Sequence, residues 1–172
     1  MKKDIKSLSL DEILTWIKAN ELPAYRAKQI YEWLHKYGVA DFSEMSNISK
    51  DLKNSLSNEF YISVCSVEDK FVSAVDGTVK YLFQLNDGEF VESVIMKYKY
   101  GYTICVSSQV GCKMGCRFCA STLAGFKRNL TAGEIESQIH TAQKDLDIRI
   151  SHIVLMGIGE PLDNFENVMK FM

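Results

Sequence analysis

Cys112-Lys-Met-Gly-Cys116-Arg-Phe-Cys119 puts three cysteines into one eight-residue stretch. The C-x3-C-x2-C spacing offers three thiolates to a four-iron cube and leaves the fourth iron without a protein ligand. A cluster held for electron transfer usually takes four cysteines. An open metal position binds a small molecule and does chemistry on it, as catalytic zinc does. The alternative is a structural zinc with a fourth ligand elsewhere, such as His140 or Cys105. Zinc sites tend instead to use two separated C-x2-C-like pairs. Gly111 and Gly115 suit a loop whose backbone approaches a cluster closely.

The flanks of this loop decide the fold class. Thr103 to Ser107 is a short β-prone run that leads straight into it. Beyond it, Thr131-x-x-Glu134 has the form of a capping box and opens a helix bearing Ile135, Ile139, Ala142 and Leu146. His152 to Met156 predicts a buried parallel strand, stopped by Gly157-Ile158-Gly159-Glu160-Pro161, and a last helix begins near Asn164. Strand, loop, helix, strand, loop, helix is a βαβα unit of an α/β protein. Both loops follow strands, at the end where such proteins place their sites.

Upstream the periodicity changes twice. Ser9-x-x-Glu12 is another capping box, followed by the helical stripe Leu10, Ile13, Leu14 and Ile17. Pro23 suits a first helical turn. Ala27, Ile30, Tyr31 and Leu34 predict a second helix ending near Gly38, and Ile48, Leu52, Leu56 and Phe60 a third. Then Val79, Tyr81, Phe83 and Leu85 alternate with polar residues, and Asn86-Asp87-Gly88 turns the chain into Phe90 to Met96. Val72 to Val75 supplies a further partner. The expected organisation is a helical block at 1–60, a small antiparallel meander at 61–97 and an α/β core at 98–172.

With 47% hydrophobic and 24% charged residues in 172, the composition is globular. The net charge of −2 does not advertise a polyanion partner, but the distribution is uneven. No Asp or Glu occurs from Ser93 to Gly133, whereas Lys97, Lys99, Lys113, Arg117, Lys127 and Arg128 do. That stretch reads either as a solvated face or, given its overlap with the cysteines, as an anion or nucleic-acid surface. The basic start is not followed by an apolar h-region. No apolar run approaches the ~20 residues of a membrane span. Five cysteines without an export signal predict reduced thiols in the cytosol, open to metal.

Two further features carry chemistry. Gly159-Glu160-Pro161 is by itself a turn, but one βα unit after the cysteine loop its carboxylate can accept a hydrogen bond from a ligand ammonium. Cys105, inside the first strand, reads most simply as a small buried hydrophobe, and Cys65 as structural.

Together these residues resemble the radical S-adenosylmethionine superfamily. The longer strings are more specific: Cys105-Val-Ser-Ser-Gln-Val-Gly-Cys112, Cys116-Arg-Phe-Cys119, Gly125-Phe-Lys-Arg-Asn-Leu130 and Met156-Gly-Ile-Gly-Glu-Pro-Leu162. With Leu22-Pro-Ala-Tyr-Arg-Ala-Lys-Gln-Ile-Tyr-Glu-Trp33 and Phe42-Ser-Glu-Met45, they closely resemble a family of dual-specificity RNA adenine-C2 methyltransferases. The similarity runs over essentially all 172 residues. The resemblance implies the start of a partial (β/α) barrel, its first two βα units, preceded by the helical domain and the meander.

It also implies a [4Fe-4S] cluster on Cys112, Cys116 and Cys119, and S-adenosylmethionine held by Gly159 and Glu160. By the same resemblance Glu92 is a proton acceptor and Cys105 a resolving cysteine that ends in a disulfide. The substrates implied are 23S rRNA and tRNA. An electron donor such as flavodoxin, a cytoplasmic location, no membrane and a monomer complete the expectation. C2 of adenine lacks nucleophilicity. In the family a methyl group is therefore first placed on a cysteine, and a deoxyadenosyl radical then activates it. That methyl-carrying cysteine lies late in a chain about twice this long, whereas no cysteine follows Cys119 here. The expectation is therefore the amino-terminal half of such an enzyme, inactive alone, with exposed strand edges and poor solubility. A related Cfr-type enzyme, methylating C8 of the same ribosomal adenine, and a non-catalytic iron-sulfur, zinc or RNA-binding fragment are the alternatives.

Overall fold

The computed structural model describes residues 2–172. The chain divides into two compact units between Ser63 and Val64.

In the first unit, β1 (Lys3–Asp4) pairs in parallel with β2 (Phe60–Tyr61), and α1 (Leu10–Ala19), α2 (Tyr25–His35) and α3 (Lys50–Glu59) lie between them in sequence. The box expected at Ser9 forms: Glu12 N–H donates to Ser9 Oγ at 3.2 Å and Ser9 N–H to Glu12 Oε2 at 2.7 Å. Most of the predicted stripes form the core, with Ile13, Ile17, Ala27, Ile30, Leu34, Leu52 and Leu56 buried, but Leu14 and Tyr31 are half-buried and Leu10, at the start of α1, is 40% exposed. The buried Asp4 carboxylate accepts N–H groups from Lys6 and Ser63, both at 3.2 Å, and so joins the two ends of the unit.

The second unit is built on one five-stranded sheet. Its strands are β3 (Cys65–Val72), β4 (Val79–Leu85), β5 (Phe90–Tyr98), β6 (Gly101–Cys105) and β9 (Ile150–Val154), in that spatial order. The first four are antiparallel, with Tyr81 opposite Ser93 and Ile95 opposite Ile104; β9 runs parallel to β6, with Val154 opposite Cys105. The stretch expected as a separate meander therefore shares a sheet with strands of the expected core. A shorter pair, β7 (Gln109–Gly111) and β8 (Phe126–Asn129), stands apart from it. Helix α4 (Ala132–Leu146) has the capping box expected at Thr131, and α5 (Phe165–Phe171) packs against α4. Tyr81, Phe83, Val91, Ile95, Ile104, Leu130, Ile135 and Ala142 form the core of this unit.

One expectation needs correction. The strand predicted over His152 to Met156 is parallel but not buried, and Ile153 is 45% exposed. The reason is position: β9 ends the sheet, so a neighbouring strand covers it on one side only.

Candidate cluster and cofactor site

The cysteine loop is closed at its base by the β7–β8 pair. Cys112 N–H donates to the Gly125 carbonyl at 3.1 Å. Gly111, at φ +71°, sits where an added Cβ would lie 1.7 Å from that same carbonyl oxygen, so only glycine lets the two sides of the loop meet. Within the loop, Cys119 N–H donates to the Cys116 carbonyl at 3.1 Å, and Thr122 Oγ1 donates to the Cys119 carbonyl at 2.9 Å. Cys112 is buried, Cys119 half-buried and Cys116 exposed. Phe118 and Leu123 beside them are almost fully exposed and form an apolar rim.

Among the described residues no three His, Cys, Asp or Glu side chains converge as the ligands of a single ion do. His140 instead faces Glu136 at 3.7 Å, and Cys105 lies within β6. A cube takes each thiolate on a different iron, so a short glycine-bearing loop of soft ligands fits that group without converging on one point.

The second loop is drawn against the first. Gly157 N–H donates to the Val106 carbonyl at 3.1 Å, and Ser108 N–H to the Ile158 carbonyl at 2.9 Å. A Cβ on Gly157 would lie 2.6 Å from the Val106 oxygen, and one on Gly159, at φ +104°, 2.6 Å from Gln109 Cβ. Glu160 N–H donates to Gln109 Oε1 at 3.0 Å, while Gln109 Nε2 donates to Asn129 Oδ1 and Asp163 Oδ2, both at 2.8 Å. Lys113, inside the cysteine loop, reaches the same Asp163 oxygen at 3.0 Å. The Gln109 amide, and secondarily Lys113, hold the Asp163 carboxyl below the usual range. Glu160 Oε1 accepts Leu162 N–H at 3.0 Å.

Gln109 is fully buried and ties both loops to one another, yet sequence reasoning missed it. An uncharged amide next to two serines carries no signal until its partners are known.

Glu92 lines a cavity of about 380 Å³ together with Lys80, Phe90, Gly111, Ser121 and Ile158. Its carboxylate is held by Lys80 Nζ at 2.8 Å. Cys105 is not in that wall. It is half-buried in β6, and burial pushes its thiol pKa up, partly countered by the Met156 N–H. Behind the cavity, Gln138 from α4 does the work of a strand edge for Ser107. Its Oε1 accepts Ser107 N–H at 2.9 Å and Ser93 Oγ at 2.7 Å, and its Nε2 donates to the Ser107 carbonyl at 3.0 Å. Ser107 Oγ in turn donates to the Glu92 carbonyl at 2.6 Å and accepts Ile158 N–H at 2.9 Å.

The basic stretch is less open than its sequence implies. Lys113 pairs with Asp163, Lys127 with Glu89, and Arg128 with both Asp87 and Glu134. These carboxylates come from outside residues 93–133, and folding brings them to the cations. The Glu134 hydrogen bonds raise the Arg128 pKa further. The disulfide implied by the resemblance is not made within this chain, where none of the five cysteines is joined to another. No helix among the described residues is long and apolar enough to cross a membrane.

Known proteins are similar to this chain in fold and sequence. The crystal structure of a radical SAM methyltransferase from Sphaerobacter thermophilus superposes with a TM-score of 0.87 and 36% identity, over 98% of this chain and 50% of that one. The fold is thus the α/β fold of a radical SAM methyltransferase. Residues 3–62 match the family described as ribosomal RNA large subunit methyltransferase N-terminal domain, RlmN_N. A probable dual-specificity RNA methyltransferase RlmN from Clostridium novyi is 54% identical over 99% of the chain, and one from Clostridium perfringens (strain SM101 / Type A) is 57% identical over 99%. Residues 3–62 are thus similar to that N-terminal domain, and the chain is similar to RlmN proteins along nearly all of its own length. It spans about half the length of the curated relatives it matches.

Proposed function

We propose that these residues are the cluster- and cofactor-binding part of an RlmN-type enzyme that methylates C2 of an adenine in 23S rRNA and in tRNA through a methyl-cysteine intermediate. The observation that carries this reading is the tie between the two loops: Gln109 and Asp163 join the cysteine loop to the Gly159-Glu160 turn. A cofactor held by residues of both loops would need the two kept in one register.

In this reading Cys112, Cys116 and Cys119 hold a [4Fe-4S] cluster. The cluster and S-adenosylmethionine together supply the one-electron chemistry that an unreactive sp² carbon requires. Glu160 keeps one carboxylate oxygen on Leu162 N–H and offers the other to the cofactor ammonium, while Gly159 lets the backbone come close. Lys80 steadies Glu92, the proton acceptor, at the cavity wall. Cys105 stays a thiol until resolution, as its burial favours. Residues 98–172 are read as the first two βα units of a partial barrel, residues 61–97 as a meander and residues 1–60 as an RNA-binding domain. Substrates are the two RNAs, the reductant is of the flavodoxin type, and the setting is a cytoplasmic monomer. Residues 1–172 alone bind the cofactors but do not complete methyl transfer, because no cysteine after Cys119 is present to carry the methyl group.

Anaerobic reconstitution followed by metal and sulfide analysis tests this. The expected result is about four irons per chain, with a cluster spectrum that shifts when S-adenosylmethionine is added. Loading with zinc alone, or a cluster indifferent to that ligand, overturns the reading. Methylated adenosine accumulating over many turnovers with residues 1–172 alone overturns the claim of inactivity.

A further inference from the structure

Helix α2 carries a feature that the cluster chemistry does not use. Along one side runs an unbroken chain of aromatic and basic contacts. The Lys36 ammonium lies 5.4 Å over the Tyr37 ring, which packs against Trp33 with centroids 4.8 Å apart. Trp33 Nε1 donates to Asn47 Oδ1 at 2.6 Å, and the Asn47 carbonyl accepts Arg26 Nη1 at 2.9 Å. The Arg26 guanidinium in turn lies 4.9 Å over the Tyr25 ring. Tyr25 and Tyr37, at the two ends, are each 57% exposed.

Burying two tyrosine rings in water's place is favourable, and here both stay out at the surface while the core takes Ala27, Ile30 and Leu34 of the same helix. The helix and its C-cap bear Arg26, Lys28 and Lys36 against one carboxylate, Glu32. Exposed rings flanked by cations are the recurring platform for unpaired nucleic-acid bases, with the rings stacking and the cations meeting phosphates. A lipid surface would demand a longer apolar face, and a protein groove would not need cations over each ring. The strip runs roughly 16 Å from Tyr25 to Lys36 along the helix axis. That accommodates about four stacked nucleotides at ~3.4 Å each.

The geometry points to a binding surface for unpaired RNA on α2 and the turn that follows it, with Tyr25 and Tyr37 as stacking platforms and Arg26, Lys28 and Lys36 as phosphate contacts. This rests on the RNA-modifying reading above and adds where, and in what conformation, the RNA is gripped. Cation contacts of this kind make binding salt-dependent, and the rings make it prefer single strands to duplexes.

The chain has two tryptophans, so Trp33 serves as a reporter once Trp16 is accounted for. The experiment titrates the 172-residue chain with a labelled single-stranded RNA of about eight nucleotides and with the same sequence as a duplex. Label anisotropy and tryptophan fluorescence are followed in the native chain, in Trp16→Phe and in Trp33→Phe. Quenching is expected on the single strand, retained in Trp16→Phe and lost in Trp33→Phe. The Trp33→Phe chain keeps the comparison available if Trp16→Phe misfolds. Tyr25→Ala and Tyr37→Ala should each weaken binding by roughly tenfold, and Lys36→Ala should reduce the salt slope by about one. RNA binding that leaves Trp33 unquenched overturns this surface while leaving the RNA reading intact. Equal affinity for duplex and single strand, or no binding at all, also overturns it. The catalytic reading stands or falls separately, on iron loading and the response to S-adenosylmethionine.

Discussion

Gln109 Oε1 accepts the Glu160 backbone N–H at 3.0 Å, and this bond adds a side-chain tie to the backbone bonds that hold the glycine-bearing turn against the strand feeding the cysteine loop. The same amide spends its two hydrogens on Asn129 and Asp163. Gln109→Ala therefore leaves several polar groups short of a partner in a buried place, at a cost of about 2 kcal/mol. The expected outcome is a lower urea midpoint with iron loading retained and the spectral response to S-adenosylmethionine weakened. A loss of iron equal to the loss of cofactor response would show that Gln109 supports only the cluster loop.

Two glycines in the same loop should behave differently. Gly111→Ala drives a methyl group into the Gly125 carbonyl and breaks the closure at Cys112. Gly115, at φ +68°, has nothing within 4 Å of an added Cβ, so Gly115→Ala meets only backbone strain of about 1 kcal/mol. Iron content after reconstitution should collapse in the first variant and stay near native in the second, with far-ultraviolet dichroism unchanged in both.

Arg128 joins β8 to the first turn of α4 through a two-pronged contact with Glu134, whose Oε2 also accepts Thr131 N–H. The Glu134 side chain is only 6% exposed. Removing the cation strands a buried carboxylate, so Arg128→Ala should cost about 3 kcal/mol. Arg128→Lys restores charge but not the fork, and should recover less than half of that loss in thermal denaturation.

Tyr81 and Asp145 set a pH window for the second unit. The Tyr81 hydroxyl donates to Asp145 Oδ2 at 2.5 Å, beside Lys70 Nζ at 2.7 Å. Lys70, then Tyr81, hold the Asp145 carboxyl below its ordinary 3.8. Burial, then the Asp145 contact, push the Tyr81 phenol above its ordinary 10.0. The Asp145 contribution is present above pH 3.8 and is lost as pH falls through its folded value. The Tyr81 contribution is present below pH 10.0 and is lost as pH rises toward its folded value. Tyr81→Phe should lower stability at neutral pH by about 1 kcal/mol and flatten the alkaline decline. Urea midpoints across the range check both, and an unchanged alkaline limb would assign it to other groups.

Much of the fold is legible in the sequence because its signals are local. The Ser9 and Thr131 capping boxes, the stripes of α1 to α4 and the Asn86-Asp87-Gly88 turn depend on residues a few positions apart, and each forms where its pattern lies. The exposed β9 was not legible. An apolar run says that a strand forms, but whether neighbours cover both its sides depends on the rest of the sheet. The basic stretch misled for a similar reason: Asp87, Glu89, Glu134 and Asp163 are distant in sequence or outside its bounds and reach its cations only after folding.

By itself the sequence determined the three-thiol loop, the glycine-bearing turn that follows the next strand, and the helical character of the opening residues, since these rest on residue identity and short spacing. Tertiary structure alone decided that Gln109, Gln138 and Asp163 are the connectors, that Glu92 faces a cavity and Cys105 does not, and that Tyr25 and Tyr37 flank one basic strip. Hydrogen bonds and ion pairs between segments tens of residues apart are made by the path of the backbone, and no local pattern encodes which polar side chain will find which partner.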